Sequence, residues 1–80
     1  MLSPVVVYSK PHCQQCTATK RRLRSKGVEF VQESLLDEGN LAAAKALGHK
    51  EAPVVVVGER SWSGFRPDLI DELVKERLGG

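Results

Sequence analysis

The β-branched run Val5-Val6-Val7-Tyr8, broken at Ser9 to His12 and followed at once by Cys13-Gln14-Gln15-Cys16, constrains this chain more than any other feature. Valine and tyrosine pack well on a pleated surface, so the run predicts a buried strand. Pro11 excludes ladder pairing in the break. From Cys13 or Gln14 to Lys26 the residues favour helix, and Gly27 is a natural C-terminal stop. The apolar stripe of that helix is thin, with Cys16, Thr19 and Leu23 on one face. Packing on a sheet, more than its own pattern, must hold it. The thiols therefore fall where a strand gives way to the start of a helix.

Val28 to Gln32 nearly alternates apolar and polar and predicts a second strand, parallel to the first through a right-handed βαβ crossover. A helix follows from about Glu38 to Leu47, with Asp37 as N-cap, Gly48 just past its end, and Leu41, Ala44 and Leu47 facing inward. After Ala52-Pro53, the wholly apolar Val54 to Val57 predicts a central strand. Gly58-Glu59 then turns the chain into a short partner strand, Arg60 to Trp62, making a hairpin. Ser63 to Arg66 reads as a loop. Pro67 and Asp68 open a last helix whose Leu69, Ile70, Leu73, Val74 and Leu78 form the cleanest amphipathic stripe in the sequence. The order is βαβ-α-ββ-α, an α/β arrangement of a four-stranded mixed sheet flanked by three helices.

Eighty residues predict one domain, spanning 1–80, whose core is small because so short a chain buries only somewhat more than about 60% of its unfolded surface. Chemistry on such a frame must need few groups. A net charge of +2 is too mild to argue for nucleic acid, and aromatic residues are too scarce for a base-stacking platform. Lys20, Arg21, Arg22, Arg24 and Lys26 do crowd one helical stretch, either as a solvated face or as a docking surface for an acidic protein. The start of the chain lacks a basic leader, and Val5 to Tyr8 is too short for a signal core or a membrane span. The expectation is a cytoplasmic monomer. In that compartment a cysteine pair is a reactive pair or a metal pair rather than a staple.

A Cys-x-x-Cys after a strand and at the mouth of a helix is a redox signature. At i and i+3 the side chains are neighbours on one turn, about 5–6 Å apart at Cβ in an ideal helix. A relaxed disulfide wants about 3.5–4.5 Å, so the bridge closes only with local distortion. Unpaired N–H groups at the helix start favour an anion and lower the pKa of Cys13. A fall from about 8.5 to about 7 raises the thiolate fraction at neutral pH roughly 16-fold and cuts nucleophilicity roughly fivefold. The net gain in attack is about threefold, and Cys13 also leaves more readily. Cys16, deeper and inward, is then the resolving thiol. Two other readings stand beside this one. The cysteines could be buried and inert, or they could hold zinc. The second meets the difficulty that His12 adjoins Cys13 and His49 is remote, so four ligands cannot be assembled without carboxylates. His12 invites a general-base role, but like Lys10, a nearby positive charge, it reads first as a solvated loop residue that modestly tunes the field at Cys13.

Three segments together resemble the NrdH-redoxins, glutaredoxin-like proteins of the thioredoxin fold that supply electrons to class Ib ribonucleotide reductase. They are Tyr8-Ser9-Lys10-Pro11-His12-Cys13-Gln14-Gln15-Cys16, Ala52-Pro53-Val54-Val55-Val56 and Trp62-Ser63-Gly64-Phe65-Arg66-Pro67-Asp68. The resemblance covers essentially the whole chain, and Trp62 to Pro67 is its discriminating part. It implies a dithiol–disulfide oxidoreductase with Cys13 as nucleophile and Cys16 as resolver, and no bound cofactor or metal beyond the redox-active Cys13–Cys16 disulfide. It also implies a substrate surface made by Pro11, His12, Gln14, Gln15, Ala52, Pro53, Trp62, Ser63, Gly64 and Phe65, supported by Lys10, Arg66 and Asp68. Pro53 matches the superfamily's cis-proline, which would turn the Ala52 backbone towards an extended substrate peptide; on sequence pattern alone it is an ordinary strand-leading proline. Trp62 and Arg66 would join a network ordering the last loop, which otherwise reads as a helix-start loop with an aromatic plug.

The implied partners are thioredoxin reductase, fed by NADPH, and the C-terminal tail of the ribonucleotide reductase large subunit. Two departures bear on this. The family usually has Val where Gln14 stands, so its redox potential does not carry over. Glutathione-using glutaredoxins have a Gly-Gly and acidic-pair segment where Phe65-Arg66-Pro67 intervenes here, leaving only Asp68, so glutathione should bind poorly. A glutathione-dependent glutaredoxin and a thiol-based metal or iron–sulfur carrier are the alternative functions.

Overall fold

The computed structural model describes residues 3–78, Leu78 by its backbone only. The elements run β1 (Val5–Ser9), α1 (Gln14–Ser25), β2 (Val31–Ser34), α2 (Glu38–Ala46), β3 (Val54–Val57), β4 (Arg60–Ser63) and α3 (Pro67–Leu78). The four strands form one sheet in the order β2-β1-β3-β4. β1 runs parallel to β2 and antiparallel to β3, and β3 pairs antiparallel with β4. No helix among the described residues is long and apolar enough to cross a membrane.

The alternation of side chains along a strand divides the sheet into two faces. Val5 and Val7 lie opposite Val57 and Val55, and Val55 lies opposite Trp62. These five close with Leu23 of α1 and Ile70 and Leu73 of α3 into the core. The predicted stripe of the last helix is thus the one that packs, although Leu78's side chain lies outside the described residues. Asp71 of α3 takes a two-pronged bond from Arg22 of α1, with the closest contact at 2.8 Å. Both side chains are well exposed, so the pair registers the helices more than it stabilises them.

The second strand is not where the alternation places it. It starts at Val31, three residues on from Val28, and ends at Ser34. Val28 is instead consumed in closing α1. Gly27 takes up the left-handed φ of 73° and donates to the Arg24 carbonyl, while the Val28 N–H donates to that of Leu23. This is a Schellman closure, whose apolar residue after the glycine folds back on the helix. Val28 is buried by it, at 7% exposure. The apparent alternation came from a helix stop, not a strand.

α2 departs from expectation as well. Asp37 does cap it, accepting from the Asn40 N–H at 3.0 Å. The helix ends at Ala46, and Leu47 is its C-cap rather than its last turn. Of the three residues expected inside, only Ala44 is buried; Leu41 is 38% exposed and Leu47 50%. Ala44 takes the close contact, leaving Leu41 over an open groove and Leu47 half-exposed at the C-cap. Smaller differences complete the picture: α1 stops at Ser25 with Lys26 as its cap, β1 extends to Ser9, and Ser63 belongs to β4 rather than to the loop after it.

Candidate active site

At the C-terminal end of β1 the chain makes a tight turn through Lys10, Pro11 and His12. His12 stands at φ 58°, in the left-handed region that few side chains occupy. That turn delivers Cys13, in extended conformation, as the N-cap of α1. Its Sγ accepts a hydrogen bond from the Cys16 N–H at 3.1 Å. The sulfur thus sits at the positive end of α1, with a backbone donor aimed at it and no acidic residue in the first turn to oppose an anion there. Cys13 and Cys16 are joined as a disulfide, with their Cα atoms 5.2 Å apart. Cys13 is half-buried, whereas Cys16 is only 1% exposed. One sulfur can meet a visitor. The other cannot.

Gln15 reaches away from the disulfide towards a segment remote in sequence. Its Oε1 accepts from the Phe65 N–H at 3.0 Å. The neighbouring Gly64 N–H donates to the Pro53 carbonyl at 2.9 Å. The Ala52–Pro53 peptide is cis and Pro53 is buried. Three of the sequence-predicted segments are therefore laced together by two hydrogen bonds. Gly64 has φ 78°, and a Cβ on it would stand 3.0 Å from Gln15 Oε1. Gly64→Ala should consequently cost about 1–3 kcal/mol of stability, from the left-handed backbone and the crowded amide together. Urea unfolding of the oxidised protein measures it, and an unchanged midpoint would mean that the loop does not hold this geometry.

The other predicted residues separate into groups. Trp62 is a core residue, at 6% exposure, and its indole N–H has no hydrogen-bond partner. It acts as a plug by packing, and its indole joins no hydrogen-bond network among the described residues, because β4 turns it inward opposite Val55. Arg66 bonds Asp68 through two contacts, at 3.1 and 2.9 Å. That hydrogen bonding holds the Asp68 carboxyl below its ordinary pKa. Pro11, His12 and Gln14 line an open hollow beside Cys13.

The basic stretch of α1 divides between the two readings its sequence allowed. Arg22 is engaged by Asp71, and Arg24 lies over the Phe30 ring at 5.3 Å. Lys20 and Arg21 instead flank the Cys13 hollow, together with Lys10. Sequence reasoning overlooked Glu51, whose carboxylate comes within 3.7 Å of where a Gly64 Cβ would stand. Its place just before Ala52-Pro53 was the available signal. It also overlooked the α2 groove, since a helix with exposed leucines looks the same in sequence as one with buried leucines.

Residues 5–62 match the family model described as glutaredoxin. The chain is 42% identical over 71 residues to the glutaredoxin-like protein NrdH of Salmonella typhimurium, covering 86% of each. Among solved structures, NrdH-redoxin from Escherichia coli superposes with a TM-score of 0.84 at 38% identity, covering 88% of this chain and 93% of that one. A glutaredoxin from Archaeoglobus fulgidus shares the fold, with a TM-score of 0.74 at 24% identity over 91% of this chain and 87% of its own.

Proposed function

Since the chain belongs to the glutaredoxin family, and within it to the NrdH-redoxins, we propose that it carries electrons from an NADPH-fed thioredoxin reductase to protein disulfides, chiefly that of class Ib ribonucleotide reductase. It is a thiol–disulfide oxidoreductase, and the finer reading concerns donor and acceptor. The observation that carries it is the placement of Cys13 Sγ on the capping position of α1, under the Cys16 N–H, with Cys16 sealed beneath it.

In the reduced protein the Cys13 thiolate attacks one sulfur of the substrate disulfide. A Cys13–substrate bond forms, and the other substrate sulfur leaves as a thiolate. Cys16 then loses its proton to solvent and attacks Cys13 Sγ. The mixed disulfide breaks, the second substrate thiolate departs, and Cys13–Cys16 is left oxidised. Two electrons have passed to the substrate, whose thiolates take protons from solvent. The dithiol of a reductase reverses these steps to recharge the pair. Such a couple suits the cytoplasm, where thiol pools stay reduced.

Substrate backbone would lie along the edge made by Ala52 and Pro53, in the manner of an added strand. Pro11, His12, Gln14, Gln15, Gly64 and Phe65 would border it, with Lys10, Arg66 and Asp68 in support. Glutathione as the electron source is disfavoured by Asp68, the one acid left at the position where glutaredoxins use a pair. Its carboxylate is already engaged by Arg66, so a glutathione ammonium would have to compete for it.

The test is NADPH oxidation in the presence of thioredoxin reductase, this protein and a disulfide acceptor. Turnover should depend on the protein and exceed that with glutathione and glutathione reductase by about tenfold or more, the scale of one lost charged contact. Turnover with glutathione alone would transfer the chain to the glutathione-dependent glutaredoxins.

A further inference from the structure

On the sheet face that α2 covers, next to the redox turn, runs an open groove of roughly 580 Å³. Leu35, Leu36, Leu41, Ala44 and Val54 give it an apolar lining. Leu36 is 72% exposed and Leu41 38%, on a protein whose core is short of large aliphatic side chains. Leaving leucines in water while valines fill the interior forgoes stabilisation, and a contiguous apolar patch of this sort marks a contact surface.

The rim of the groove has a sign. Lys10, Lys45 and Lys50 stand on it, and none is in an ion pair among the described residues. Its one acid, Glu51, carries its carboxylate near Gly64. Lys10 also borders the hollow around Cys13, where Lys20 and Arg21 continue the positive edge. The groove and the reactive sulfur therefore share one basic border.

We propose that this groove seats an acidic, leucine-containing stretch of polypeptide next to the target disulfide in the partner protein. The proposal rests on the thiol–disulfide reading above and specifies which disulfides are served. Apolar side chains of the stretch would cover Leu36 and Leu41, and its carboxylates would meet Lys45 and Lys50 while Cys13 engages the adjoining sulfur. A second copy of this chain fits poorly. A two-fold contact sets a patch against itself, and here it would bring lysine rim to lysine rim.

The experiment uses synthetic peptides that share one intramolecular disulfide and differ in a flank rich in Glu and Leu, Lys and Leu, or Glu and Ser. Each is mixed with the reduced full chain, and disulfide transfer is followed by acid quench and chromatography. The Glu–Leu peptide should react about tenfold faster than the Lys–Leu peptide at low salt, the gap closing near about 0.5 M salt as screening sets in. Replacing both Lys45→Glu and Lys50→Glu should invert that order. Leu36→Ser, at a site exposed enough to leave folding intact, should remove the advantage of Glu–Leu over Glu–Ser. Hydroxyethyl disulfide, small and uncharged, should be reduced at the same rate by every variant. Equal peptide rates, with hydroxyethyl disulfide still reduced, would overturn the groove assignment and leave the redoxin function standing. Failure to reduce the peptides and hydroxyethyl disulfide alike would overturn that function, and the groove assignment with it. Dimers that dissociate on Leu36→Ser would give the groove to a second copy instead.

Discussion

Cys13→Ser should abolish disulfide reduction, a loss of about a thousandfold or more, while Cys16→Ser should accumulate a stable mixed disulfide through Cys13. The asymmetry follows from geometry rather than from the identity of the side chains. Cys13 is half-buried at the mouth of α1, and its sulfur already accepts an N–H at 3.1 Å. Cys16, at 1% exposure, is out of a substrate's reach and can attack only the Cys13 sulfur beside it. Serine is a favoured N-cap, so Cys13→Ser should keep α1 intact and lose only the nucleophile. Cys16→Ser leaves a hydroxyl where a thiol was buried, at a cost of about 1–3 kcal/mol if it finds no partner. Cys16→Ala provides the same trap without that burden. Mass spectrometry after mixing each reduced variant with a disulfide peptide reads the outcome directly. A trapped adduct in Cys13→Ser and none in Cys16→Ser would exchange the two roles. Alkylation of the reduced parent gives a second check: Cys13 should react first and at a lower pH than free cysteine.

The redox turn was legible in the sequence because its parts are local. Val5 to Tyr8 declares a strand, Cys13 to Cys16 falls within one helical turn, and the chemistry needs little else. Central strands were legible for a similar reason: a run such as Val54 to Val57 has few alternatives. The second strand was not, because Val28 serves α1. Gly27 announces a helix stop, but such a stop also claims the apolar residue after it, and the alternation from Val28 onward masks that second half. What binds the site together was hidden for a different reason. Gln15 and Phe65 are 50 residues apart, and no periodicity announces that one side chain will accept from the other's backbone. The α2 groove was hidden because Leu41, Ala44 and Leu47 follow one another at three-residue steps whether or not anything covers them. Only the placement of α2 over the sheet decides that Ala44 goes in and the leucines stay out.

Leu23→Ala should be the most damaging substitution away from the thiols, with an expected loss of about 3–4 kcal/mol. Leu23 has no exposed surface and belongs to the core cluster with Ile70 and Leu73. Its carbonyl also receives the Val28 N–H at 2.9 Å, so its side chain and backbone both serve the end of α1. A domain of this length has about 4–12 kcal/mol in total, so the substitution removes a large share of it. Leu36→Ala, at 72% exposure, should stay within about 0.5 kcal/mol and serves as the control. Urea midpoints of the two variants against the parent measure the difference, and a Leu23→Ala protein as stable as the control would mean that α1 is not seated on the sheet as described. The consequence reaches the chemistry through the helix. Cys13 gains its donor and its favourable field only while α1 is formed, so partial loss of α1 should move the reactive thiol's pKa back towards that of free cysteine. The pH dependence of alkylation in Leu23→Ala should therefore shift upward as urea is added, before global unfolding is complete. A profile that stayed fixed until the whole chain unfolded would show that the turn holds the sulfur without help from the helix behind it.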